Sequence, residues 1–263
     1  MRKGTADMIK AVFFDIDGTL TSFRTHEIPD SAFEALRQLK ANGIRVFIAT
    51  GRAKDGLEVL KGFPFDGYIT LNGQYCFTPE KVIYENTIDH DDLVIFQKEI
   101  EKDPVPCGYI MRDRKVFNFR NELVDAVHAI THNDAHPAGD VSKVLEEKIY
   151  QVMVFMDEER EKKLLAKLKH CTSARWYPTF FDLSPLGGTK VRGMDCFAEY
   201  FGFDISETLA FGDGGNDREM LAHAGFSAAM ANASDEVKQI ASWVTDDADH
   251  YGIMKALKHF ELI

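Results

Sequence analysis

The feature that most constrains this chain is "KAVFFDI", residues 10–16, followed after a helical stretch by "IRVFIATG", residues 44–51. The continuous apolar run of the first suits a strand covered on both faces, the environment of a parallel sheet, and the second reads as another buried strand. Between them "PDSAFEALRQLKANG" sets Ala32, Phe33, Leu36 and Leu39 at helical spacing, with Pro29 near its start and Gly43 just past its end. "KDGLEVLKG" predicts a second helix and "FDGYITLNG" a third strand. A βαβαβ order with right-handed crossovers predicts an open, Rossmann-like α/β sheet, whose chemistry lies at the carboxyl ends of its strands. Asp15, Thr50 and Asn72 fall at such ends.

From about residue 80 the pattern changes. Strands are expected in "KVIYENTI", "CGYIMRD", "KVFNFR", "YQVMVFMD" and "ARWYPTFFDLS", with helices near "HDDLVIFQKEIEK", "NELVDAVHAITH", "SKVLEEKI" and "REKKLLAKLKH". That is an α+β lobe over an antiparallel sheet. The α/β alternation then resumes with "KVRGMDCFAEYFG", "TLAFGD" and "NDREMLAHAG". The expected architecture is one α/β core, residues 1–79 and 185–263, split by an inserted α+β cap over 80–184.

The bulk numbers agree with a folded enzyme-sized chain. At 263 residues, one large domain or two smaller ones are both accessible. A formal net charge of -11 argues against a nucleic-acid or anionic-membrane binder, although a local cationic pocket still receives an anion because charges screen over about 8 Å. Cys76, Cys107, Cys171 and Cys196 form no CxxC pair, which predicts reduced thiols in a cytoplasmic protein. No apolar run approaches the roughly 18 residues that span a bilayer. Residues 1–7 read as a short disordered lead, with Met8 as an alternative start.

Asp15 and Asp17 sit one residue apart at the mouth of a buried strand, where crowding and burial both oppose ionisation. Something cationic should neutralise them. Three further strand-end segments supply the rest of a constellation: "ATGR" at 49–52, "GGTK" at 187–190 and "FGDGGND" at 211–217. Singly these read as turns, caps and solvated charge. Jointly they fit phosphoryl transfer, in which a carboxylate meeting an anionic phosphoryl group needs a divalent cation and a lysine. Oxygen-only ligands suit Mg2+, with Asp15 and Asp213 holding it. Asp15 is the expected nucleophile, forming an aspartyl-phosphate, and Asp17 the acid that protonates the leaving alcohol and then deprotonates water. Thr50 and Lys190 are expected on the phosphoryl oxygens, and backbone amides after Asp15 add a nest of donors.

These motifs, in this order on this alternation, resemble the haloacid dehalogenase (HAD) superfamily of aspartate-nucleophile phosphatases, and within it the Cof-type sugar-phosphate phosphatases. The resemblance covers nearly the whole chain. It implies Asp15 as nucleophile, Asp17 as acid/base, Thr50 as the second-motif hydroxyl, Lys190 as the third-motif lysine and Gly212 to Asp217 as the metal-binding "GDGxND". It also implies metal ligation by the Asp17 backbone carbonyl, Asp217 near the metal, Asn216 near the phosphate or Lys190, and a C2-type cap. Substrate contacts are further expected from Gly51, Arg52 and Asn72. Arg52 either reaches a second anionic or hydroxyl group or caps a surface helix, and Asn72 has the same two readings.

The remaining features carry less. His128, His132 and His136 are spaced four apart, but Asn133 and Pro137 argue against a helix continuing through all three, so a polar cap surface is expected rather than a metal site. Arg175, Trp176 and Tyr177 are candidates for facing a sugar. The expected activity is Mg-dependent hydrolysis of small phosphomonoesters, sugar phosphates foremost, by a monomer. The alternatives are a phosphomutase with the same covalent intermediate and a non-catalytic sugar-phosphate sensor.

Overall fold

The computed structural model describes residues 8–131 and 138–263, so the lead before Met8 and the histidines His132 and His136 lie outside the described residues, as does the side chain of His128. The chain resolves into two units, one made of residues up to Glu85 together with Thr189–Ile263, the other of Asn86–Gly188.

In chain order the first segment carries β1 (Ala11–Phe14), α1 (Asp30–Ala41), β2 (Arg45–Ala49), β3 (Gly67–Thr70), β4 (Tyr75–Phe77) and β5 (Val82–Glu85). The second unit carries α2 (His90–Lys102), β6 (Cys107–Ile110), β7 (Lys115–Phe117), α3 (Glu122–Thr131), β8 (Gln151–Val154), α4 (Glu158–Leu165), β9 (Cys171–Tyr177) and β10 (Phe180–Pro185). The chain then returns with α5 (Lys190–Phe201), β11 (Thr208–Gly212), α6 (Arg218–His223), β12 (Phe226–Ala229), α7 (Asp235–Lys238), β13 (Trp243–Val244) and α8 (Gly252–His259).

The first unit is built on an eight-stranded sheet in the order β13-β12-β11-β1-β2-β3-β4-β5. Six strands run parallel, while β4 and β5 turn back as antiparallel neighbours. Strand β1 lies between β11 and β2, and both of its faces are buried. Val12 and Phe14 join the apolar cluster with Leu36 and Leu39 of α1 and Leu257 of α8, while Ala11 and Phe13 join Met194 and Phe197 of α5. This two-sided burial explains the absence of polar alternation in the sequence. Phe13 stacks on Phe47 at 4.8 Å and Phe14 on Phe211 at 4.9 Å, each ring contributing roughly 1.5–3 kcal/mol by leaving water.

The second unit has a five-stranded antiparallel sheet, order β7-β6-β8-β10-β9. Phe96 and Ile100 of α2 and Leu164 of α4 pack with Val152, Val154 and Phe181, and Val124 and Val127 of α3 pack with Phe117, Phe155 and Phe180. Asp89 caps α2, accepting from the amides of Asp91 at 2.9 Å and Asp92 at 3.4 Å.

Three local expectations are corrected. "KVIYE" was expected in the inserted lobe from residue 80, but β5 pairs with β4 and extends the first unit's sheet, so the division falls after Glu85. It falls at Thr189, not residue 185, on the return. "KDGLEVL" forms a 3-10 helix over Lys54–Leu60, with Gly56 in its interior and the Gly56 carbonyl accepting from Arg52 at 2.9 Å. "SKVLEEKI" keeps only a single 3-10 turn, Val144–Glu146, after which the backbone is extended at Glu147 (φ -107°, ψ 157°).

Candidate active site

Asp15 follows β1 directly, and its amide donates to the Phe211 carbonyl of the adjacent β11, so the end of the central strand places it. Lys190 is the first residue of α5. Thr189 caps that helix, its hydroxyl accepting from the Arg192 amide at 3.0 Å, and this start point directs Lys190 inward. Asp217 ends a turn that follows β11, with Oδ2 accepting from the amides of Asp213 at 3.0 Å and Gly214 at 2.9 Å. Lys190 Nζ donates to Asp15 Oδ1 and to Asp217 Oδ1, both at 2.6 Å, and the three side chains are buried.

This triad answers the crowding of acids that the sequence poses. Burial, with the Asp217 charge second, pushes the Asp15 carboxyl well above the usual range, and Lys190 opposes the shift. Burial alone would lower the Lys190 ammonium, but the Asp15 and Asp217 charges more than reverse it and the lysine is held charged. A cation at a helix N-terminus is also disfavoured by the helix dipole, so the two acids offset that cost as well.

Asp213 lies beside the triad. Thr19 Oγ1 donates to its Oδ1 at 2.9 Å and Asn232 Nδ2 to its Oδ2 at 2.8 Å, while the same Asn232 amide reaches the Gly18 carbonyl at 3.0 Å. Burial pushes the Asp213 carboxyl up to about 6, the Thr19 hydrogen bond opposing it and Asp217 adding to it. Asp15, Asp213 and Asp217 each present an oxygen within 4.8 Å of the others. Hard oxygen donors around charge-starved carboxylates are the chemistry of a divalent cation site, and the residues fit Mg2+ in type and number. Gly18 fits tightly here: at φ +77°, a Cβ on it would lie 2.3 Å from Asp213 Oδ2.

The other expected residues fall into two smaller groups. Asp17 is forked by Arg52, Nε to Oδ2 at 2.9 Å and one terminal nitrogen to Oδ1 at 2.7 Å, while the other terminal nitrogen donates to the Gly56 carbonyl, so Arg52 joins Asp17 to the 3-10 helix. Asp17 is the main cause of the raised Arg52 pKa. Thr50 is fully buried, its hydroxyl accepts from the Arg52 amide at 3.1 Å, and Gly51 lies between them against Asn72. Asn72 accepts from Asn216 Nδ2 at 3.0 Å. Leu71, Asn72 and Gly73 are three consecutive residues with positive φ, and the Asn72 and Leu71 amides donate to the Thr50 and Arg52 carbonyls. Strain of this kind is kept where surrounding contacts over-determine it, commonly at functional sites.

Sequence reasoning left Thr19 without a role and did not consider Asn232 at all. Asn232 follows the carboxyl end of β12, so the strand-end argument applied to that strand as well would have found it. A second group with ligand-type atoms, Asp89, Asp92 and His170, lies in the other unit. There Asp92 accepts from the backbone amides of Lys169 at 3.0 Å and His170 at 2.6 Å, which makes it a loop clamp.

Comparison with known proteins places this geometry. The profile of haloacid dehalogenase-like hydrolases matches residues 12–257. YkrA of Bacillus subtilis (strain 168) is 31% identical over 259 residues, 97% of this chain and 98% of its own. The solved structure of BT4131, a HAD subclass IIB sugar phosphatase, is 41% identical with a TM-score of 0.83, covering 97% of this chain and 100% of that one. That of BT1666, a HAD phosphatase from Bacteroides thetaiotaomicron, is 35% identical with a TM-score of 0.89, covering 100% and 98%.

Proposed function

Because this chain belongs to the haloacid dehalogenase-like hydrolase family and is a phosphatase of that type, we propose that it is a magnesium-dependent hydrolase of small phosphomonoesters, sugar phosphates foremost, working through an aspartyl-phosphate. The observation that carries the reading is the buried Asp15–Lys190–Asp217 triad, in which one ammonium serves two carboxylates at 2.6 Å. The sugar-phosphate assignment draws its support from the likeness to BT4131.

An Asp15 carboxylate oxygen attacks phosphorus, forming an acyl-phosphate bond as the ester oxygen departs with a proton from Asp17. Arg52 orients the Asp17 carboxylate through its two-pronged fork, ready to take a proton from water, and one prong has to open for Asp17 to carry the proton it gives to the leaving oxygen. Asp17 then takes a proton from water, whose oxygen attacks the phosphoryl group and releases inorganic phosphate and free Asp15. Lys190 and the Thr50 hydroxyl hold the phosphoryl oxygens as their charge grows. Asp15, Asp213, Asp217 and the Asp17 backbone carbonyl would hold the metal, which supplies Lewis-acid neutralisation of phosphoryl charge when bound. Asn72 and Asn216, hydrogen-bonded to each other, position the phosphate side of the pocket.

The test is phosphate release from a panel of sugar phosphates, nucleotides and other phosphorylated metabolites, with Mg2+ and with EDTA, alongside Asp15→Asn. Magnesium-dependent release that the variant abolishes supports the reading. Undiminished turnover by the variant sinks the nucleophile assignment, sugar-phosphate isomerisation without phosphate release points to a mutase, and tight binding without turnover points to a sensor.

A further inference from the structure

Phe23 is an exposed aromatic ring at the catalytic centre, and nothing in the chemistry above uses it. Its side chain is 61% exposed, yet its ring touches the motif that carries Asp15 and Asp17: a Cβ on Gly18 would lie 2.4 Å from Phe23 Cζ and 2.3 Å from Asp213 Oδ2. Isolated surface aromatics are ordinary and need no explanation. This one differs in how it is held. On one side of it, the buried Ser22 hydroxyl donates to Asp249 Oδ2 at 2.8 Å while accepting from the Arg24 amide at 3.0 Å and the Thr25 amide at 3.3 Å. On the other side, Arg24 donates to Asp249 Oδ1 at 3.1 Å. The turn closes with the Ser22 amide on the Glu27 carbonyl and the His26 amide on the Ser22 carbonyl. One carboxylate therefore pins the chain on both sides of Phe23, and the ring stays in water against Gly18 instead of folding into the core.

We infer that Phe23 is a specificity-determining residue whose ring packs on the C–H face of a cyclic leaving group, so that the enzyme favours ring-bearing sugar phosphates over acyclic phosphate donors. The inference rests on the phosphatase reading. A phenyl ring offers dispersion and apolar burial without a polar handle, so it rewards a flat C–H surface and gives nothing to a small acyl group. Its contact with Gly18 puts that surface against the residue that follows Asp17 in the chain and close to Asp213. Asp249 acts on this as a positioning residue, through Ser22 and Arg24.

The experiment compares kcat/KM for glucose 6-phosphate and ribose 5-phosphate with that for acetyl phosphate, in wild type, Phe23→Ala, Phe23→Tyr and Asp249→Ala. Phe23→Ala is expected to lose about 10-fold on the ring-bearing esters and less than about 2-fold on acetyl phosphate, with Phe23→Tyr close to wild type and Asp249→Ala losing selectivity in the same direction. An equal loss on all substrates would assign Phe23 a structural role and overturn the inference, as would an unchanged ratio or a wild type that does not prefer the ring-bearing esters. A wild type that releases phosphate from none of them fails the phosphatase reading itself, which separates the two.

Discussion

Replacing Lys190 with methionine isolates what the buried ammonium does. It is 2% exposed and bridges Asp15 and Asp217, whose side chains are 7% and 0% exposed. Removing one partner of a buried ion pair costs about 3–5 kcal/mol, and because this lysine serves two carboxylates the loss at pH 8 belongs near the upper end, about 4–5 kcal/mol. Asp217 keeps its two amide donors on Oδ2, so the unrelieved charge falls mainly on Asp15. Its pKa, already raised by burial and Asp217, rises further without the lysine. An unfolded aspartate ionises near about 4, so between that pH and the folded pKa the native state binds the extra proton and stability increases as pH falls, by up to about 1.4 kcal/mol per pH unit. Urea unfolding in EDTA at pH 8 and pH 5 should therefore give a large deficit that shrinks on acidification. A Lys190→Met/Asp217→Asn double variant should recover about half the lost stability at pH 8 while turnover stays down by about 100-fold or more, since the phosphoryl-facing charge is still missing. A single variant as stable as wild type at pH 8, or one whose deficit ignores pH, would refute the argument that Lys190 neutralises this cluster.

Other perturbations read separate parts of the molecule. Asp182 has a sealed Oδ1 with no hydrogen-bond partner, although the residue as a whole keeps some exposure, and burial pushes its carboxyl up to about 6 against the Trp176 and Gln151 hydrogen bonds. Its ionisation costs the fold stability as pH rises from about 4 through about 6, so Asp182→Asn should be stabilising by about 1–3 kcal/mol at pH 8 with the gain vanishing at pH 4, measured as Tm against pH. Arg52→Ala should lower kcat about 10-fold with KM nearly unchanged, Arg52→Lys falling between because an ammonium cannot make the fork on Asp17; steady-state kinetics check it. Gly73 has φ +103°, and a Cβ there would lie 2.0 Å from the Thr189 carbonyl oxygen. Gly73→Ala should cost at least about 2 kcal/mol by urea midpoint and depress kcat, because Thr189 caps the helix that begins at Lys190.

Much of this arrangement was legible from the chain because burial and strand ends leave plain marks. Val12, Phe13, Phe14 and the matching run in β2 have no polar alternation, and that alone placed Asp15 and Thr50 at neighbouring strand ends. The helical reading of "KVRGMDCFAEYFG" matches α5, which begins at Lys190. What stayed hidden depends on contacts between distant segments. Arg52 meets Asp17 across 35 positions, Asn232 reaches Gly18 across 214, and no periodicity records either meeting. The residues of the strand at Val82–Glu85 fit any antiparallel sheet, and only its pairing with β4 decides which unit it joins.

The order of the central sheet has a consequence for how the protein is made. Ala11 of β1 pairs with Arg45 on one side and with Thr208 on the other, so one hydrogen-bonding edge of the strand that carries the nucleophile waits for a partner about 200 residues downstream. At about 5–20 residues per second of synthesis, that edge stays open for roughly 10–40 s while the entire inserted unit emerges. An apolar strand with a bare edge is the template that other chains join. During translation, therefore, the segment that will hold Asp15 keeps an unpaired edge until β11 is made, and slowing translation before β11 should lower soluble yield more than slowing it after.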